Sequence, residues 1–299
     1  MISNQKVASF QKNILDWYEL HKRELPWRTT REPYRILVSE VMSQQTQLSR
    51  VVPKYEAWMK RFPTIYDLAQ ASVSDVLQYW SGLGYNRRAL NLKKAAEKIV
   101  HEFNGIFPQT EKELISLPGI GKYTARAVLC FAFDQQVAVV DTNVRKVIMT
   151  QFANELRGKN YELRVKEANK DSNSLLIIHD LTAKIEISDK EIEEFASVLL
   201  PKKRAYDWNQ ALMDYAASVL KKEKIPIPKQ SKFIGSHRYY RGQILKALLK
   251  DKKIAIDDLG LIIKKDYTSA EKEWLQKLLN ELVDEGFIFV ENDILALVS

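Results

Sequence analysis

The chain has 299 residues, 46 lysines and arginines against 38 aspartates and glutamates, and a formal net charge of +8. Hydrophobic residues make up 45% and charged residues 28%, a globular composition that excludes a disordered, collagen-like or low-complexity chain. A single cysteine, Cys130, excludes an internal disulfide framework and a four-thiolate metal site, and the four histidines have no ligand spacing, so no metal is expected.

No apolar run approaches the ~18 residues of a membrane span, and the N-terminal MISNQKVASF lacks the apolar core of a secretory signal. A cytoplasmic protein without a membrane partner is expected. The basic excess favours nucleic acid. It is uneven: residues 201–250 hold twelve basic against three acidic side chains, and residues 251–299 hold six against eleven.

In chain order, Val7, Phe10, Ile14, Trp17 and Tyr18 recur at spacings of three and four and predict a helix over 4–22. The same periodicity predicts helices over 33–49, 53–60, 73–80, 86–103, 111–116, 122–133 and 141–151. Short breaks separate them: LPWR, RFPT, SGLGY, GIFPQ and LPGIGK. Many helices with short connections predict an all-α domain. Residues 157–188 are polar, then β-branched, and read as an irregular insertion with a hairpin. Helix returns at 189–200 and 207–222. KKEKIPIPKQSKF (221–233) has the prolines and lysines of an exposed linker. A linker at 223–234 then divides a domain over 1–222 from a small unit over 235–299. In that unit helices are expected at 238–250, 256–264 and 268–285. Two short strands follow around a turn at Glu291–Asp293, in winged-helix-like order.

The chemistry concentrates in two strings. In LPGIGKYTARAVLCFAF (117–133), Pro118 stops one helix, Gly119 and Gly121 permit a tight turn with positive φ, and Lys122 and Tyr123 open the next helix. Unpaired N–H groups of such a turn, aided by the helix dipole, hold a phosphate. This is a helix–hairpin–helix, a sequence-independent clamp for the DNA backbone; a plain glycine-rich turn is the alternative. Twenty residues after Gly121, VAVVDTNVRKVI places Asp141 behind four apolar residues. Asp141 caps a helix, worth about 1 kcal/mol, or does chemistry, or both. Glu40 lies among Ile36, Leu37, Val41 and Met42, the pattern of a largely buried helix.

The hairpin followed by this aspartate resembles the helix–hairpin–helix superfamily of DNA glycosylases, and within it the MutY-type adenine glycosylases. The matching strings are LPWR (25–28), PYRILVSEVMSQQTQ (33–47), FPTIYDLAQAS (62–72), WSGLGYNRRALNLKKAA (80–96), FPQTEKELISLPGIGKYTARAV (107–128), VVDTNVRKV (139–147) and DWNQALMDYAA (207–217). The resemblance covers about residues 20–220, the insertion excepted. It implies two helical lobes around a DNA-binding cleft. It further implies that Asp141 stabilises the sugar cation and Glu40 protonates the adenine, with Tyr123 and Asn143 supporting them. Trp27, Arg28 and Gln210 match positions lining the base pocket. Gln45 and Tyr85 match residues that push into the duplex, and Thr46 and Leu83 lie near the opposite base. Gly119, Gly121 and Lys122 belong to the backbone clamp.

The physics agrees with these roles. Breaking an N-glycosidic bond needs an acid at the leaving base and negative charge at the sugar, and two carboxylates with separated pKa values supply both. Burial is expected to keep Glu40 protonated and hydrogen bonds to keep Asp141 ionised. A base inside a duplex must be flipped out, which needs a wedge and a pocket. Strand-cutting relatives of the endonuclease III kind carry a Schiff-base lysine where this chain has Tyr123, so a monofunctional enzyme is expected. Lys122 points elsewhere, because helix neighbours are ~100° apart.

Two departures stand out. Most relatives carry four cysteines after the DWNQALMD helix, binding a [4Fe–4S] cluster. Here that region reads YAASVLKKEKIPIPKQSKF, with Leu220 at the first ligand position, so no cluster and no other cofactor is expected. Many adenine glycosylases also end in a larger, Nudix-like domain that reads 8-oxoguanine. This chain ends instead in a near-neutral unit expected to pack or to contact protein rather than read DNA. The implied function is a monomeric base-excision-repair glycosylase removing adenine opposite 8-oxoguanine or guanine in double-stranded DNA. A thymine or uracil mismatch glycosylase and a non-catalytic DNA-binding protein are the alternatives. Glu40 favours adenine, because a pyrimidine leaves as an anion and needs no such acid.

Overall fold

The computed structural model describes residues 2–152, 155–156, 187–222 and 232–298. The expected insertion and the expected linker therefore fall almost wholly outside the described residues. The chain divides into two compact units, 1–31 with 125–226 and 32–124 with 227–299.

In the first unit, Asn4–His21 (α1) begins at Ser3, whose side chain accepts the Lys6 N–H. Such a cap satisfies one of the orphan amides of a first turn. A 3-10 turn, Pro26–Thr29, follows with Pro at its start. In the second unit come Pro33–Ser43 (α2), Leu48–Arg61 (α3), Ile65–Gln70 (α4), Val73–Trp80 (α5), Arg87–Glu102 (α6) and Glu111–Ile115 (α7). Thr64 with Asp67 forms a capping box for α4, and Ser72 and Thr110 cap α5 and α7. Lys122–Phe131 (α8) carries the chain into the first unit. There the described residues add a helix over 142–152 (α9), Asp189–Leu199 (α10) and Ala205–Ser218 (α11).

The first unit is built on α1 against α11. Phe10 stands edge-on to Phe152 at 4.8 Å and to Trp208 at 5.7 Å. The core of the second unit is Tyr34, Trp58, Phe62 and Trp80, each at most 1% exposed. Tyr34 joins two of these residues: its Oη donates to the Phe62 carbonyl at 2.8 Å and accepts from Trp58 Nε1 at 3.1 Å.

The C-terminal segment contains His237–Asp251 (α12), Lys253–Ala255 (β1), Ile256–Ile263 (α13), Lys272–Asp284 (α14), Ile288–Glu291 (β2) and Ile294–Leu297 (β3). The strands form an antiparallel sheet in the order β1-β3-β2. The predicted winged-helix-like order is present, with β1 added. Asn292 and Asp293, both at positive φ, make the hairpin turn at the expected place.

The helix predicted over 33–49 ends at Ser43, because Gln45 takes a φ of 54°. The break expected before residue 53 does not occur: α3 runs through Pro53. Its stripe of Val51, Tyr55 and Trp58, all at most 3% exposed, outweighs the one hydrogen bond the proline removes.

Candidate active site

Glu40 sits on α2 and is half-buried. Tyr123, the second residue of α8, donates its hydroxyl to Glu40 Oε2 at 2.7 Å. One turn further along α2, Gln44 Nε2 donates to Thr124 Oγ1 at 3.3 Å. Consecutive residues of α8 thus hold two side chains four apart, Glu40 on α2 and Gln44 at its C-cap.

The turn before α8 treats its two glycines differently. Gly119 has a φ of +74°, and a Cβ there would lie 2.7 Å from Asn91 Cβ. Gly121 is exposed, has no positive φ, and a Cβ there would meet nothing within 4 Å. The expectation of positive φ at both glycines is thus corrected: one left-handed residue is enough to reverse the chain between α7 and α8. Lys122, the first residue of α8, is exposed.

Gln45 and Tyr85 are both exposed and both adopt positive φ, 54° and 50°. Neither is glycine, and such backbone persists only where its surroundings hold it. Those surroundings include Arg88, which bonds both loops. Thr46 Oγ1 accepts from Arg88 Nη2 at 3.3 Å, as does the carbonyl of the buried Leu83 at 3.2 Å. The Tyr85 hydroxyl accepts from Arg238 Nη1 of α12 at 2.9 Å.

Asp141 and Asn143 belong to the first unit. Asp141 is the N-cap of α9, as its position predicts: Val144 N–H donates to Oδ1 at 2.7 Å, and Asn143 Nδ2 donates to Oδ2 at 2.7 Å. These bonds favour the ionised form, as expected. Burial outweighs them and pushes the Asp141 carboxyl above its ordinary value. Asn209, which the sequence reading passed over, supports this segment. Its side chain accepts the Val139 N–H at 2.9 Å and donates to the carbonyls of Val137 at 3.0 Å and Ala205 at 2.8 Å. The signal was available: an asparagine among apolar neighbours in WNQALM must be fully hydrogen-bonded if buried.

Trp27 and Gln210 are buried, and Gln210 makes no side-chain hydrogen bond among the described residues. The Arg28 guanidinium is held by Asp214: Nη1 and Nη2 reach its two oxygens at 2.7 and 2.8 Å. Arg23 adds Nε at 2.6 Å and its backbone N–H at 3.0 Å. Burial pushes the Asp214 carboxyl up, but the two arginines outweigh it and hold it below the usual carboxylate range. Cys130 is buried against Asn209 Nδ2. Among the described residues, no group of three or more His, Cys, Asp or Glu side chains is placed to hold a metal ion, and no helix is long and apolar enough to cross a membrane.

A glycine hairpin thus leads into a tyrosine–glutamate pair and is followed along the chain by a capping aspartate. Residues 38–170 match the family model of the HhH-GPD superfamily base excision DNA repair proteins. The chain's relatives are adenine DNA glycosylases. That of Mus musculus is 38% identical over 251 residues, 80% of this chain and 44% of that protein. That of Homo sapiens is 37% identical over 223 residues, 72% of this chain and 36% of that protein. That of Mycobacterium tuberculosis is 49% identical over 137 residues, 46% of this chain and 45% of that protein. The chain spans less than half the length of these curated relatives. Among solved structures, it is similar to a thermostable thymine-DNA glycosylase, with a TM-score of 0.59, 28% identity, and coverage of 72% of this chain and 88% of that one. It also shares its fold with an endonuclease III–DNA complex, with a TM-score of 0.54, 20% identity, and coverage of 72% and 86%.

Two stability outcomes follow. Asp214→Asn leaves the buried Arg28 charge without its counter-ion and is expected to cost about 3–5 kcal/mol in urea unfolding near neutral pH. Because the folded carboxyl titrates low, this contribution is complete above the unfolded value of about 3.9 and is lost as pH falls through the folded value. The variant and the parent should therefore converge in stability under acid. Gly119→Ala must place a side chain at positive φ and against Asn91, and is expected to cost at least about 1–2 kcal/mol. Gly121→Ala should leave the melting temperature unchanged or slightly raised, since it only stiffens the unfolded chain.

Proposed function

We propose that the protein is a base-excision-repair DNA glycosylase that removes mispaired adenine, opposite 8-oxoguanine or guanine, by hydrolysing its N-glycosidic bond. The observation that carries this reading is the Tyr123–Glu40 hydrogen bond beside the glycine hairpin, in a chain whose relatives are named adenine DNA glycosylases. Its partner would be double-stranded DNA, bound by a monomer whose glycosylase domain covers 1–222 and whose C-terminal module covers 235–299.

Glu40 would donate the proton that makes adenine a neutral leaving group, with Tyr123 fixing the orientation of its carboxyl. Asp141 would stabilise the positive charge developing on the sugar. Its environment suits that task. Its hydrogen-bond donors are the neutral Val144 N–H and Asn143 amide, and its charge is poorly solvated, so a cation forming nearby is worth more to it than in water. Trp27, Arg28 and Gln210 would line the base pocket, with Arg28 acting through its contact surface, since Asp214 holds its guanidinium tips. Gln45 and Tyr85 would enter the duplex, with Thr46 and Leu83 near the opposite base. Gly119, Gly121 and Lys122 would clamp a phosphate; the open space over Gly121 suits that contact.

Tyrosine at 123 cannot form a Schiff base, so the enzyme would leave an abasic site uncut. One cysteine cannot assemble a four-thiolate cluster, and Leu220, where the first ligand would stand, is 7% exposed and packed into the core. The residues present do not fit an iron–sulfur cluster, and no step of the proposed reaction uses one. Thymine or uracil removal is the second reading, favoured by the likeness to the thermostable thymine-DNA glycosylase.

The deciding test is single-turnover base release from duplexes carrying A opposite 8-oxoguanine, A opposite G, T opposite G, and U opposite G. Adenine release is expected, lost by at least about a thousandfold in Asp141→Asn and in Glu40→Gln. Release of thymine or uracil alone would overturn the adenine reading. Asn caps a helix as well as Asp, so Asp141→Asn should fold normally and keep its duplex affinity. The pH profile gives a second check. Asp141 must be ionised, so activity should fall with acid at a pH above the ordinary carboxylate range. Asn143→Ala, which removes a bond to the ionised form, should move that limb further up. Gly121→Ala should weaken duplex binding without loss of stability.

A further inference from the structure

We infer that Arg88 is a positioning residue that fixes the two loops 44–47 and 81–85 in the conformation presenting Gln45 and Tyr85. Arg88 is the second residue of α6, and its guanidinium meets six oxygens. Nη1 donates to the carbonyls of Val41 at 2.6 Å, Met42 at 3.2 Å and Gln44 at 2.7 Å. Nη2 donates to Thr46 Oγ1 at 3.3 Å and to the carbonyls of Leu83 and Gly84, both at 3.2 Å. The head also lies 5.1 Å from the centre of the Trp80 ring and 5.6 Å from that of Tyr85.

These acceptors are not a random set. Val41 and Met42 belong to the last turn of α2, whose carbonyls have no partner within the helix. The others belong to the two loops. One planar fork therefore closes the end of the helix that carries Glu40 and ties it to both left-handed residues. No carboxylate pairs with Arg88 among the described residues, and burial pushes its pKa down to about 10. Its charge is balanced by the carbonyl end of α2 instead, where the helix dipole is negative. A left-handed residue with a side chain costs roughly 1–2 kcal/mol, and here two of them are held by a single group. Lysine, a point donor on a flexible stem, cannot span both loops. The inference rests on the reading that Gln45 and Tyr85 meet DNA, and it adds what sets their geometry before DNA arrives.

The test uses Arg88→Lys, which keeps the charge, and Arg88→Met, which does not. Hydrogen exchange on the protein alone is read first. Amides in 44–47 and 83–86 should exchange at least about tenfold faster in both variants, with α1 and α11 unchanged. Unchanged exchange in these loops would overturn the inference, whatever the enzyme's activity. Base release is then compared on duplex and on single-stranded oligonucleotides carrying the same adenine, since the latter needs no flipping. A loss of about tenfold or more on duplex, with at most about a threefold loss on single strands, is expected of a misplaced wedge. Equal loss on both would reduce Arg88 to a general structural role and overturn the inference. Absence of base release in the parent protein would count against the proposed function alone, because the exchange readout decides Arg88 independently.

Discussion

The hydrogen bond from Tyr123 to Glu40 is the contact on which the second unit's chemistry depends. Tyr123 comes two residues after the hairpin glycine, so the helix start proposed to clamp a phosphate also sets the carboxyl proposed to protonate the base. A bond of 2.7 Å tolerates little sliding of α8 against α2. The Gln44–Thr124 bond repeats the constraint one turn along, and Arg88 closes the end of the same helix from α6. α2 is thereby gripped along its middle and at its C-terminal end, and the left-handed Gln45 begins where the grip ends. Precise placement of an acid on a rigid element is what proton transfer in a transition state requires.

Two aspartates of the first unit show how environment separates structure from chemistry. Asp214 is fully buried and Asp141 partly so. Asp214 faces the guanidinium groups of Arg23 and Arg28, its pKa falls, and its charge is fully used within the fold. Asp141 is held by neutral donors only, its pKa rises, and its charge remains uncompensated. An ion pair makes a carboxylate inert, whereas an amide and a backbone N–H orient it and leave its field available. The arrangement also has a stability sign. A carboxyl with a raised folded pKa binds its proton more tightly in the native state, so its ionisation opposes folding as pH rises through that window. The pairs around Asp214 act in the opposite sense.

Much of this was legible in the sequence because local rules were strong. Apolar periodicity located α1, α5 and α14. The aspartate behind four apolar residues read correctly as a cap. The errors have physical causes. The helix read as starting at 53 starts at Leu48, because the burial of Val51, Tyr55 and Trp58 carries it through Pro53. The true boundary lies at Gln44–Gln47, where no glycine or proline announces it, because the turn is imposed from a distance by Arg88. Nothing in the dipeptide Arg87–Arg88 distinguishes an exposed arginine from one that organises two loops. β1, at three residues, is too short to carry a period of two and exists because β3 is there to pair with it.

The C-terminal module follows the same logic of charge. In a helix-turn-helix the second helix reads the groove, a position that α14 holds here. Its Glu281 accepts from Arg241 at 3.0 Å and lies 3.2 Å from His237 Nε2. Glu285, at its end, accepts from Arg241 at 2.6 Å, and its carbonyl accepts from Lys94 of α6 at 3.0 Å. Arg241 of α12 is thus neutralised by carboxylates at the C-terminal end of α14. The hairpin between β2 and β3 carries Glu291 and Asp293 and no lysine or arginine, so it offers nothing to a phosphate. Arg238 turns elsewhere: it donates to the Tyr85 hydroxyl and stands 5.6 Å from its ring, the same distance as Arg88. The C-terminal module thus reaches one of the two left-handed loop residues, Tyr85. It packs against the helices around Tyr85 and adds a second guanidinium to a side chain whose backbone is already held in a left-handed turn.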